Sequence, residues 1–208
     1  SASGGECSVS FSDEVSVNGK KYLAVCTPEV KPAAADPYSS SSLASVSNQA
    51  DYLFVAHGAF TDGLVPLAVH RQDSGLSVRI VDVNDIYDEF NFGLFSPDAI
   101  RKFLKYTYTD WTEPAPKYVC LVGDGSYDYK DDEGWGVNSL VPTYMYHSYL
   151  FGETGSDNGF VCLDDDPGDK LADMFIGRLP VYTGSQLETV IDKIIGYEEG
   201  GRDEWTRR

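Results

Sequence analysis

Asp173-Met174-Phe175-Ile176-Gly177-Arg178-Leu179-Pro180, running into residues 183–198, is the stretch whose reading decides the fold. A short apolar strand ends at Gly177-Arg178, a turn follows, and a long amphipathic helix begins. Thr183 and Gln186 have the spacing of a capping box, in which each side chain satisfies a backbone N–H at the helix start. Leu187, Val190, Ile191, Ile194 and Ile195 then fall on one helical stripe. A strand feeding an amphipathic helix is half of a βα unit, so the same rhythm should be visible upstream.

It is. Tyr52-Leu-Phe-Val-Ala56, Ser77-Val-Arg-Ile-Val81 and Tyr118-Val-Cys-Leu-Val122 are short apolar runs. With 172–176 they predict four strands, and runs that are apolar throughout suit a parallel sheet covered on both faces. A further strand is expected over 159–163. Between the first two runs, Thr61 opens a helix bearing Leu64, Leu67 and Ala68, and Gly75 ends it. Ser96-Pro97 supplies an N-cap followed by Pro at the first helical position. Ile100, Phe103, Leu104, Thr107, Tyr108 and Trp111 form its stripe. The fold class is therefore α/β, a parallel sheet flanked by helices. After Asp124 the pattern loosens for about 35 residues, long enough to be functional or mobile.

The N-terminal part differs. Residues 8–11 and 15–25 alternate apolar and polar around Asn18-Gly19, a β-hairpin signal. The expected organisation is a hairpin over 1–35, closing a preceding domain, a linker over 36–50, and the α/β unit over 51–208. The linker is placed in a Pro-, Ala- and Ser-rich stretch that also reads as a long surface crossing.

Thirty-three acids against sixteen bases give a net charge of −17, which disfavours nucleic acid and anionic membranes as partners. No apolar run approaches the roughly 20 residues of a membrane span, and no signal peptide opens the sequence. The chain is expected to begin as a mature product or a fragment. Cys7, Cys26, Cys120 and Cys162 show no CxxC spacing, so zinc is not expected. Cys120 and Cys162 read as buried thiols, and Cys7 and Cys26 can pair in an exported protein.

Gly123-Asp124-Gly125-Ser126 follows a strand, where open sheets bind ligands, but it lacks G-x-G-x-x-G and the phosphate-loop Lys. A tight turn needing Gly is the plainer reading. From Asp124 to Asp173 there are twelve acids and two bases, and Asp164, Asp165, Asp166, Asp169 and Asp173 crowd around Pro167-Gly168. Calcium binds six to eight oxygens from carboxylates and carbonyls in bent loops. The segment is no EF-hand, and a solvated acidic turn is the alternative. Ser126 lacks a nucleophile-elbow setting. His57, His70 and His147 have no recognised spacing to a Cys or Ser, although His57-Gly58 imitates a catalytic His-Gly turn.

In order, Ala50-Asp-Tyr-Leu53, Gly75-Leu-Ser-Val78, Asp85-Ile-Tyr-Asp-Glu-Phe90, Ala99-Ile-Arg-Lys-Phe-Leu104, Tyr118 to Asp124, Ser156-Asp-Asn158, Phe175-Ile-Gly-Arg178 and Asp192-Lys193 to Glu198 resemble the gingipain-type cysteine peptidases of family C25. The resemblance implies a caspase-like fold of two α/β subdomains, of which this chain is the first. The catalytic His and Cys, and most of the specificity pocket, are expected downstream of Arg208, leaving no catalytic residue here. The resemblance also implies structural calcium, with carboxylates from Asp169 and Asp173, the Leu171 carbonyl, and oxygens from Gly159 and Cys162. Its partners would be the C-terminal catalytic subdomain of the same protein and a peptide or protein substrate, in a secreted or cell-surface enzyme. Two rival readings are an interaction or scaffold module of a surface protein and a small-molecule domain using the Gly123 turn.

Overall fold

Strands β1 (Tyr52–Ala56), β2 (Val78–Asp82) and β3 (Tyr118–Val122) are joined by β6 (Phe175–Leu179) in one parallel sheet of order β2-β1-β3-β6. A separate antiparallel hairpin is formed by β4 (Met145–Ser148) and β5 (Gly152–Gly155). The computed structural model describes residues 41–134, 136, 139–150, 152–164 and 171–200. The expected hairpin over 1–35, and 36–40 of the expected linker, lie outside the described residues. All described residues belong to one compact unit, 39–208.

Alternation along the strands builds two cores. Leu53, Val55, Val81, Val119 and Leu121 face helices α2 (Val83–Asn91) and α3 (Pro97–Thr109). Phe54, Ala56, Cys120 and Val122 face α1 (Val65–Asp73) and α4 (Gly184–Glu199). The helices thus cover both faces, which is why the strands are apolar at successive positions. Local signals end the helices where expected. Asp98 N–H donates to Ser96 Oγ at the start of α3, and Thr183 and Gln186 form the full capping box of α4. Gly75 has φ +88°, a left-handed value that suits a residue without Cβ.

Several details differ from expectation, among them β2, which runs Val78–Asp82 rather than 77–81. The run 159–163 is not a strand: Asp157–Phe160 is a 3-10 helix, with Gly159 N–H donating to Ser156 O and Val161 N–H to Asn158 O. Phe160, Val161 and Leu163 are buried, whereas Cys162, expected to be a buried thiol, is only half-buried. The last strand starts at Phe175 rather than 172, because Asp173 N–H is bonded to Val161 O and its carboxylate to Leu163 N–H. Thr61 does not cap with its side chain; its hydroxyl donates to Gly58 O. Tyr108 is 37% exposed, and Trp111 lies beyond the end of α3 while remaining in its core.

Residues 41–50 pack against this unit. Leu43 and Ala50 are buried, the Trp111 indole donates to Leu43 O (3.0 Å), and Glu89 accepts from Ser41 Oγ and Ala44 N–H (both 2.8 Å). Among the described residues no helix is long and apolar enough to cross a membrane.

Candidate functional site

The sequence nominated two places: the carboxyl edge of the sheet and the acidic turn before β6. At the carboxyl edge β1 is followed by His57, whose N–H donates to Val122 O (3.1 Å) and whose Nδ1 accepts the Ala59 N–H (3.3 Å). A Cβ on Gly58 would press on the Asp82 carboxylate and force it to move, and Asp82 also caps α2 through Asn84 N–H (2.9 Å).

The Gly123 turn is built for the backbone. The N–H groups of Gly123, Asp124, Gly125 and Ser126 donate to Leu179 O, Val181 O, Asp124 Oδ1 and Ser139 Oγ. All four are committed within the chain, whereas a phosphate cradle needs such groups aimed at the ligand. Leu140 and Val141 N–H both return to Asp124 O (2.9 and 3.2 Å), closing the intervening loop on its own base. Side chains, rather than amides, therefore line the space above this edge.

Cys120 is packed between β3 and the α1/α4 core, 6% exposed, and burial pushes its thiol up to about 11. A nucleophilic cysteine is activated by the opposite shift. His70 bonds Glu198 on α4 (2.8 Å), beside the Arg71–Glu198 fork at 2.5 and 2.9 Å. His147 lies on the exposed β4 strand. Cys7 and Cys26 are outside the described residues.

The acidic segment 124–173 is tied down by two arginines. Arg178, near the end of β6, makes a fork with Asp157 (2.8 and 2.7 Å) and also donates to Gly123 O, Val141 O and Pro142 O. One planar guanidinium with fixed donors thus joins β6, the end of β3, the segment entering the hairpin and the 3-10 helix. Ser156-Asp157 and Gly177-Arg178 were legible only as separate motifs; their pairing is a tertiary fact. On the other side, Arg101 of α3 donates to Cys162 O (2.7 Å) and Asp164 O (3.2 Å).

The calcium ligands expected from the resemblance meet this geometry unevenly. Asp173 keeps a carboxylate in the turn, with Oδ2 accepting from Leu163 N–H (2.9 Å). Gly159 sits where a Cβ would enter the Tyr144 ring, and Leu171 is 83% exposed at the rim. The Cys162 carbonyl fits poorly, because it already accepts from a guanidinium whose charge would oppose a second cation. Asp169, Asp165 and Asp166 lie outside the described residues. Among the described residues, no three His, Cys, Asp or Glu side chains come together as a metal centre.

Comparisons with known proteins fit this architecture. The sequence matches peptidase family C25 over residues 45–208. Latent dimeric PorU from Porphyromonas gingivalis is 25% identical with a TM-score of 0.61, over 73% of this chain and 16% of that one. The complex of RgpB pro- and mature domains from the same organism is 20% identical, TM-score 0.53, over 70% and 28%. The Arg-specific cysteine proteinase gingipain R is 21% identical, TM-score 0.54, over 70% and 28%. The last two likenesses show the fold. No curated protein sequence matches. This chain therefore spans between about a sixth and under a third of those solved chains. Its match extends over nearly all of the described unit and includes both the doubly covered sheet and the arginine-clamped turn: the chain belongs to peptidase family C25.

Proposed function

We propose that this chain is the first, non-catalytic subdomain of the peptidase region of a C25-type cysteine endopeptidase. It buttresses a C-terminal half of the same protein that supplies the His and Cys and takes a peptide or protein substrate. The family match over 45–208 carries the reading. The protonated, core-packed Cys120 supports a nucleophile located elsewhere, since thiolate attack needs an activated Cys beside a base. Secretion or display at the cell surface belongs to the same proposal and rests on the family resemblance.

The test compares the 208-residue chain with a longer protein that continues beyond Arg208, on casein and fluorogenic peptides with a thiol reductant. The expected result is no cleavage by the chain and iodoacetamide-sensitive cleavage by the longer protein. Cleavage by the chain that Cys120→Ser or Cys162→Ser abolishes would refute the subdomain reading. An inert longer protein would favour the scaffold alternative.

Structural calcium is part of the proposal. With the Cys162 carbonyl engaged by Arg101, it rests on the Asp169 and Asp173 carboxylates and the Gly159 and Leu171 carbonyls, a hard oxygen set. Calcium should raise the melting temperature, because a ligand selective for the folded state stabilises it by mass action. Asp169→Ala with Asp173→Ala should remove most of that increment. Identical melts of the parent chain in calcium and in chelator would sink the metal assignment.

A further inference from the structure

A cavity of about 370 Å³ opens at the carboxyl edge of the sheet, and His57, Lys130, Asp131 and Ser139 line it together with the apolar Phe95, Tyr129 and Leu140. It adjoins the point where strand order reverses: the chain leaves β1 through α1 for one face, whereas α2 and α3 bring it to β3 along the other. Crevices at such reversals are where open parallel sheets bind ligands. Its volume lies at the small end of ligand pockets.

We propose that this cavity binds a carboxylate borne on an apolar or aromatic group, the chemistry presented by the C-terminal residue of a peptide. The chain as a whole carries −17, yet the lining is rich in hydrogen-bond donors. His57 Nδ1 spends its lone pair on the Ala59 N–H, so the neutral ring carries its proton on Nε2 and is a donor there. Ser139 Oγ accepts from Ser126 N–H (3.3 Å), which leaves its hydroxyl proton for another acceptor. The Lys130 ammonium stands 5.5 Å from the centroid of the Tyr129 ring, held over the wall by cation–π attraction. Asp131, the one acid among the described lining residues, is tied to its own loop by Gly136 N–H (2.9 Å).

The remaining wall is apolar. Phe95 and Tyr129 have ring centroids 5.7 Å apart, and Tyr87 packs edge-on behind Phe95 at 5.1 Å. Tyr87 is 4% exposed, and its hydroxyl has no hydrogen-bond partner among the described residues. A buried donor left unmade is costly, and the Tyr87 ring that carries it packs on Phe95 of the cavity wall. Donors beside aromatic faces select an amphiphilic anion. A phosphate group would instead need the backbone N–H groups that the Gly123 turn has spent internally. Occupancy of this cavity does not depend on whether a longer protein is an active peptidase.

N-acetyl-L-phenylalanine is the probe, and N-acetyl-L-phenylalaninamide, of nearly equal shape without the charge, is the control. The isotopically labelled 208-residue chain is titrated with each to about 10 mM, enough to reveal a millimolar Kd. The acid should give saturable shifts at His57, Phe95, Tyr129 and Ser139, with the amide at least about tenfold weaker, as the loss of a charge-assisted hydrogen bond implies. Long-range spectra of the His57 ring should show the proton on Nε2. Lys130→Met, an exposed change that leaves the core untouched, should weaken the acid by about threefold to tenfold and leave the amide unchanged. Equal binding of acid and amide would reduce the cavity to an apolar cleft and overturn the proposal. So would no binding at the top concentration, shifts lying elsewhere on the chain, or a Lys130→Met variant that binds the acid as the parent does.

Discussion

Strands β1 and β3 are gripped on both faces by apolar side chains, whereas the segment 123–173 that separates β3 from β6 is fastened at its base by the fork of Arg178. In the sheet, Leu53, Phe54, Val55, Leu121 and Val122 are each fully buried, and stability is spread over many small contacts. In the excursion, one guanidinium serves three carbonyls and a carboxylate. Distributed packing tolerates the loss of any one contact in part; a hub does not. The contrast also explains how a long insertion is carried without disturbing strand order. The entropy of closing a loop grows slowly with its length, so one strong closure at the base suffices.

Truncation of the apolar side should have the largest effect. Phe103 is fully buried and meets Phe90 and Trp111 edge-on at 5.4 and 5.9 Å. Phe103→Ala should cost about 3–5 kcal/mol, seen as a lower urea midpoint for the whole unit. A cost confined to α3, with the sheet melting as before, would show that the two faces are not one cooperative core.

Arg178→Met comes next. It strands the Asp157 carboxylate, whose side chain is 23% exposed, and three carbonyls, at a cost of about 2–3 kcal/mol after allowance for partial solvation. Hydrogen exchange should accelerate in β4, β5 and the 157–160 turn while β1 and β3 keep their protection. Equal loss of protection throughout would erase the distinction drawn between sheet and excursion.

The smallest effect tests a polar contact on the sheet side. Arg71, and then His70, hold the Glu198 carboxyl below its ordinary value. A depressed carboxylate contributes stability above its unfolded value, near pH 4.3, and loses it as pH falls through the folded value. Glu198 is 37% exposed, so Glu198→Gln should cost only about 0.5 kcal/mol at neutral pH. The deficit should shrink with salt and vanish in strong acid. A deficit that persists in acid would mean packing, and not charge, ties α1 to α4.

Legibility in the sequence follows the same divide. Strands 52–56 and 118–122 have their expected bounds because each is a five-residue apolar run, set between Asp51 and His57 in one case and Lys117 and the turn residue Gly123 in the other. Helix α2 was missed: it starts directly on the last residue of β2, its cap Asp82 is itself a strand residue, and only Val83, Ile86 and Tyr87 are buried along nine residues. The β4–β5 hairpin went unread because Gly152 and Gly155 dilute its alternation. At the site, the acidic turn was visible from composition. The two arginines that tie down the segment 124–173 around it were not, because Arg101 and Arg178 reach partners 61 and 21 residues away, beyond any local period.

Helices α1 and α4 share one face, and this restricts where the polypeptide can go next. Crossovers between parallel strands are overwhelmingly right-handed. On a given face they therefore all advance in one direction, and on the α1 face that direction runs from β1 towards β2. A parallel strand entered from α4 would have to move the same way, into positions β3, β1 and β2 already fill. Handedness thus closes the β6 margin to a parallel strand entered from α4, and leaves it open to an antiparallel one. A parallel strand reached from α4 by a right-handed crossover could join this sheet only beyond β2, so the side on which α4 lies already narrows how the sheet can grow.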